Sequence, residues 1–207
     1  MKEKITKVIL ISLGIFFIAF GTFAMDFGIY RGKPGWLLWL CYWGMVIIGF
    51  GILTKNGYLI LSQINILTIP LLFWNIDFTH YLATGKDLWG ITDYFFGEML
   101  KTARFISFEH LFLLPLTLLA LYLIKINKKG AWKLSLAQLA LFFVLSRLFT
   151  NPEHNVNCVF VSCYPFFPTD SWHPLRWFLV YGAMILFTYW IISVMPLFKK
   201  KIAKKNQ

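Results

Sequence analysis

Apolar residues come in blocks along this chain, and short polar clusters separate them. The blocks predict helices over roughly 8–25, 36–53, 57–76, 105–124, 131–150 and 175–198. Each is close to the ~20 residues with which an α-helix crosses a bilayer. No internal repeat or low-complexity linker interrupts the series. Residues 1–207 therefore predict one all-α domain, a polytopic membrane protein of six transmembrane helices. A further short amphipathic helix is expected near 91–101, between the third and fourth blocks.

Composition agrees with this reading. Of 207 residues, 58% are hydrophobic and 14% charged, where a soluble domain carries about 25% charged residues. Mean hydropathy is +0.66. The net charge of +11 does not indicate nucleic-acid binding, because the lysines stand at the edges of apolar blocks. In that position they meet anionic head groups and fix topology. The start of the chain, basic through Lys4 and apolar from Val8 to Met25, has the outline of a signal peptide. The run is long for one and no A-x-A-like site follows, so it predicts a retained first span.

The charges also test the number of spans. Six spans put 13 of the 20 basic residues on one side, from Lys2 to Lys205, with Glu3 as the sole acid. The other side holds the remaining eight acids. The positive-inside rule then predicts both termini in the cytoplasm, in a multi-pass protein of the cell membrane. The two long connections, 77–104 and 151–174, fall outside. They are rich in aromatics, among them Trp89, Tyr94, Phe95, Phe96, Tyr164, Phe166 and Trp172. Such residues favour the membrane interface. They predict a lid on the outer leaflet, a plug of the bundle, or a face for a protein partner.

All four histidines lie on this outer side. Cys41 and His110 each stand five residues inside a predicted span, counted from Trp36 and Phe105. At 1.5 Å per residue, both lie roughly 7–8 Å below the outer boundary. A thiol and an imidazole at one depth suit a nucleophile and its base, and scarce water favours transfer of an acyl group. Gly44, one turn from Cys41, admits close approach of another helix. Pro115 frees the carbonyl of Leu111, next to His110. The plainer readings are a packing cysteine and an interfacial histidine. Glu109 points about 100° away from His110 and is expected to snorkel, to pair with Arg104 or Arg147, or to orient another group.

In the last outer connection, Asn155 and Asn157 are candidate donors to an oxyanion, with turn chemistry as the alternative. Cys158 and Cys163 face an oxidising compartment and could be bridged. Asp77 with His80, and Glu153 with His154, are weak metal candidates. No H-x-x-x-H or H-E-x-x-H pattern occurs, so no metal and no cofactor is expected. Polar residues on the third and fifth spans, among them Gln63 and Gln138, fit interhelical hydrogen bonding. A transporter would place charges or broken helices at mid-membrane, and few occur.

Three segments resemble a membrane superfamily. Leu38-Trp39-Leu40-Cys41-Tyr42, with the apolar run ending Leu53-Thr54-Lys55, resembles its second span. His110-Leu-Phe-Leu-Leu-Pro115 resembles its histidine motif, and Tyr164-Pro165-Phe166-Phe167 its Tyr-Pro-Phe element. The superfamily holds YwaF-like integral membrane proteins, a transmembrane acyltransferase of ether phospholipids, and the androgen-induced hydrolases of fatty acid esters of hydroxy fatty acids. The resemblance implies six helices, a nucleophile at Cys41 and a histidine at His110. The hydrolases use threonine where this chain has cysteine, as the acyltransferase branch does, which leans toward acyl transfer. The expected function is a lipid acyl hydrolase or acyltransferase with membrane lipid as partner. The alternatives are a non-catalytic scaffold or a small transporter.

Overall fold

The polar clusters that end each apolar block also end each helix. A computed structural model describes residues 2–126 and 128–199. It contains α1 (Lys2–Tyr30), α2 (Leu40–Leu53), α3 (Gly57–Thr84), the single turn α4 (Asp93–Phe96), α5 (Lys101–Ser107), α6 (Glu109–Ile124), α7 (Ala131–Phe149) and α8 (His173–Val194). Among the described residues there is no β-strand. Five helical segments are long and apolar enough to cross a membrane: Glu3–Tyr30, Gly57–Thr84, Lys101–Ile124, Ala131–Phe149 and His173–Val194. The set is compatible with a multi-pass membrane protein.

Several boundaries differ from the sequence expectation, each for a local reason. Pro34–Leu38 winds as a 3-10 segment and Trp39 is extended, so α2 begins at Leu40 and not near Trp36. Proline at the start fixes the tighter turn, and the extended Trp39 stops it running into α2. With 14 residues, α2 is roughly 21 Å long, short of the ~30 Å hydrocarbon core. The third helix runs on to Thr84, where Gly85 takes a left-handed conformation (φ 71°) and ends it. The helix expected near 91–101 is broken in two, α4 and α5, with Gly97 extended between them.

The central element is α3, which packs against α2, α6, α7 and α8. Its polar residues bond to α7: Gln63 Nε2 donates to Gln138 Oε1 at 2.8 Å, and Asn65 Nδ2 to Ser135 Oγ at 3.2 Å. Interhelical bonds of this kind satisfy polar groups that no water can reach. The first two helices meet through small residues. A Cβ on Gly49 would stand 2.6 Å from the Gly14 carbonyl oxygen, so only glycine permits that approach. Outward faces carry Ile15, Leu141, Val144, Leu148, Leu179 and Phe187, all exposed. Such a surface suits lipid, not water.

The connections sort to two ends. At one end the carbonyl of Phe198 accepts from the Ile126 amide, and Tyr58 reaches the Gly130 carbonyl. At the other end the first turns of α2, α6 and α8 meet the long aromatic connections.

Candidate functional site

Two helix starts converge at that aromatic end. Cys41 is the second residue of α2 and His110 the second of α6. The Cys41 thiol, a carboxylate oxygen of Glu109 and a ring nitrogen of His110 all lie within 4.8 Å of one another. The expected pair is thus brought together, although not by equal depth along two long helices. Both residues sit in a first turn, and the two first turns face each other.

Glu109 is the residue the sequence pattern missed. It neither snorkels nor pairs with arginine. It is wholly buried, and among the described residues neither carboxylate oxygen has a hydrogen-bond partner. Among the described residues, the His110 ring lies beside it, with Nδ1 at 3.9 Å. Arg104 instead donates to the Gly97 carbonyl and lies over the Phe95 ring, and Arg147 lies over Phe160.

His110 is held on three sides. Its Nδ1 bonds to the Ser107 carbonyl at 2.9 Å, which leaves the lone pair of the neutral ring on Nε2. The Trp74 ring stacks on the imidazole, with centroids 4.6 Å apart. Asn75 Nδ2 donates to the His110 carbonyl at 2.8 Å. This extra donor therefore meets the carbonyl one residue before the one that Pro115 frees.

The 85–100 connection packs against Trp74, the ring that stacks on His110, and a buried acid organises it. Asp77 accepts from the amides of Leu88, Trp89 and Thr92 and from the Thr92 hydroxyl. Four bonds fill the carboxylate, so Asp77 with His80 is not a metal pair; His80 Nδ1 bonds instead to the Lys86 carbonyl. Tyr94 accepts a hydrogen bond from Trp74 Nε1 at 2.8 Å. Burial pushes the Tyr94 phenol up to about 12. Phe95 packs edge-on against Trp74 and Phe78. Phe73 touches both Trp89 and Tyr164, joining the two long connections.

Neither asparagine is free to serve an oxyanion. Asn157 Oδ1 accepts the Leu40 amide at 2.9 Å, while Nδ2 donates to the Leu38 carbonyl and to Ser146 Oγ. Both its amide hydrogens are used, and it works as a clamp on the first turn of α2. Asn155 closes its own loop, accepting from Phe160 and Val161 and donating to the Val161 carbonyl. Both adopt left-handed backbone, φ 39° and 56°, which asparagine tolerates. Turn chemistry, not donor chemistry, explains them. Cys158 and Cys163 form a disulfide, with Cα atoms 5.5 Å apart. Cys41 is therefore the free thiol. Comparison with protein-family models, with curated proteins and with solved structures finds no match to this chain.

Proposed function

We propose that this protein is a membrane-embedded acyl hydrolase or acyltransferase acting on lipid esters. The observation that carries this reading is the approach of the Cys41 thiol and the His110 ring to within 4.8 Å. In the first step the thiol sulfur bonds to the acyl carbonyl carbon while His110 accepts its proton. The ester C–O bond then breaks, and the departing alkoxide takes the proton from His110. In the second step an acceptor hydroxyl or water gives its proton to His110 and attacks the thioester. That step releases the acylated product or fatty acid and restores the thiol. The resemblance of three segments to an acyl-handling superfamily supports the same roles, and we propose distant kinship with it.

The proposed setting is the cell membrane, with α2 and its 3-10 lead-in as a short sixth span and both termini in the cytoplasm. The segregation of lysines to the end opposite Cys41 supports this topology. A disulfide at the Cys41 end supports an oxidising compartment there.

The test is labelling by an activated acyl ester in metal-free buffer. Cys41→Ala is expected to abolish labelling. His110→Ala is expected to slow it about 100-fold or more, the range of a general base. Undiminished labelling in both variants rejects the reading. A scaffold role has one observation in its favour: Trp172 is 66% exposed and Phe166 47%, on the outer connection. It predicts that Trp172→Ala, not Cys41→Ala, removes cellular function.

A further inference from the structure

We propose that Cys41, Glu109 and His110 form a binding site for a borderline-soft divalent cation, with Zn2+ the best match. The proposal does not depend on acyl chemistry. It rests on the same cluster and assigns Glu109, which the acyl mechanism leaves without a role.

The carboxylate is the first argument. Glu109 is wholly buried, and among the described residues both its oxygens lack a hydrogen-bond partner. Among the described residues no lysine or arginine forms an ion pair with it. A buried acid is normally paired, hydrogen-bonded or bound to a metal. The neighbours that Glu109 does have, a thiol and an imidazole, are both metal ligands.

Geometry and charge agree. The three donor atoms lie within 4.8 Å of one another. Zinc bond lengths of 2.0–2.3 Å imply donor separations of roughly 3.3–3.8 Å in a tetrahedral site. Side-chain movement of about 1 Å closes the cluster to that size. A thiolate, a carboxylate and a neutral imidazole together balance a divalent charge, which a buried site requires. On binding, the thiol proton is released to solvent and sulfur ligates as thiolate. The Ser107 carbonyl on Nδ1 holds the ring neutral and oriented, as outer partners of ligating histidines do. Sulfur and nitrogen donors select zinc over magnesium or calcium. Three protein ligands leave a fourth position open. A bound ion would occupy the thiolate and compete with acylation, so metal would switch off the chemistry proposed above.

The experiment uses the full chain, purified in detergent without reductant so that the disulfide stays closed and Cys41 is the free thiol. Co2+ is added to metal-free protein and the thiolate-to-cobalt charge-transfer absorption is followed. One equivalent is expected to bind, with displacement by Zn2+ and protection of Cys41 from maleimide. Cys41→Ser is expected to remove the band, and Glu109→Gln and His110→Ala to weaken binding at least about tenfold. Thermal melts establish that each variant is folded. No band in folded wild type overturns the proposal. So does a band of equal affinity in the Glu109→Gln and His110→Ala variants, which would mean an isolated thiol. Because acyl labelling is run without metal, either reading can fail alone.

Discussion

Asn157 holds the first turn of α2 from 117 positions away, its Oδ1 accepting the Leu40 amide at 2.9 Å. That amide is one residue from Cys41. A helix start leaves its first N–H groups without partners inside the helix, and here a distant loop supplies one. The same side chain also reaches Leu38 and Ser146, so it ties the 3-10 segment, α2 and α7 together.

Asn157→Ala therefore orphans the buried Leu40 amide and the half-buried Leu38 carbonyl. Each orphan costs about 1–3 kcal/mol. The expected result is a lower melting temperature together with faster, less selective maleimide reaction at Cys41, because the thiol is no longer held in place. An unchanged Cys41 alkylation rate in a folded Asn157→Ala protein would show that the clamp does not position the thiol.

This link also marks how far the sequence could be read. Helix positions were legible because apolar blocks and their polar punctuation act locally. A shared depth for Cys41 and His110 was legible on the expectation of a long helix entering at Trp36, but contact between their two helices was not. Pro34 and the extended Trp39 shorten that helix, and proximity arises because two first turns meet. Glu109 was not legible. Helical spacing turns it about 100° from His110, and only the position of α2 shows that the thiol approaches both. Asn157 looked like an oxyanion donor because its bonding partners, Leu38, Leu40 and Ser146, come from elsewhere in the chain.

Gly49 and Gly44 both lie on α2, and their environments predict different costs. A Cβ on Gly49 would stand 2.6 Å from the backbone oxygen of Gly14, whereas one on Gly44 would stand 2.6 Å from Leu67 Cδ1. Backbone on α1 cannot yield without moving the helix; the end of a leucine side chain can. Gly49→Ala is expected to destabilise by about 1–3 kcal/mol and Gly44→Ala by less. Thermal melts in one detergent compare them. Equal losses would mean that the α1–α2 contact is not limiting.

Tyr94 gives a prediction at alkaline pH. Burial raises its phenol to about 12, against about 10 in an unfolded chain. The folded state thus holds this proton more tightly. Its contribution to stability is complete below about pH 10 and is lost as pH rises through about 12. Ultraviolet titration of phenolate should show a late-ionising group that Tyr94→Phe removes. If the variant instead loses a phenol titrating near 10, the Tyr94 hydroxyl is open to water and its bond with Trp74 does not form in solution.

Glu109 offers the sharpest separation of stability from function. In metal-free protein its buried carboxyl has no hydrogen-bond partner among the described residues, so the fold carries the cost of removing it from water. Replacing it with methionine, of similar length and without polar atoms, removes that cost. Glu109→Met is expected to stabilise the metal-free protein by about 1–3 kcal/mol, which for a chain of this size raises the melting temperature by several degrees. The same change should abolish protection of Cys41 by Zn2+. A residue retained against the stability of its own fold is the pattern of a functional group. A lower melting temperature for Glu109→Met in metal-free buffer would mean that the carboxyl is satisfied in solution, and would remove the main support for a cation at this site.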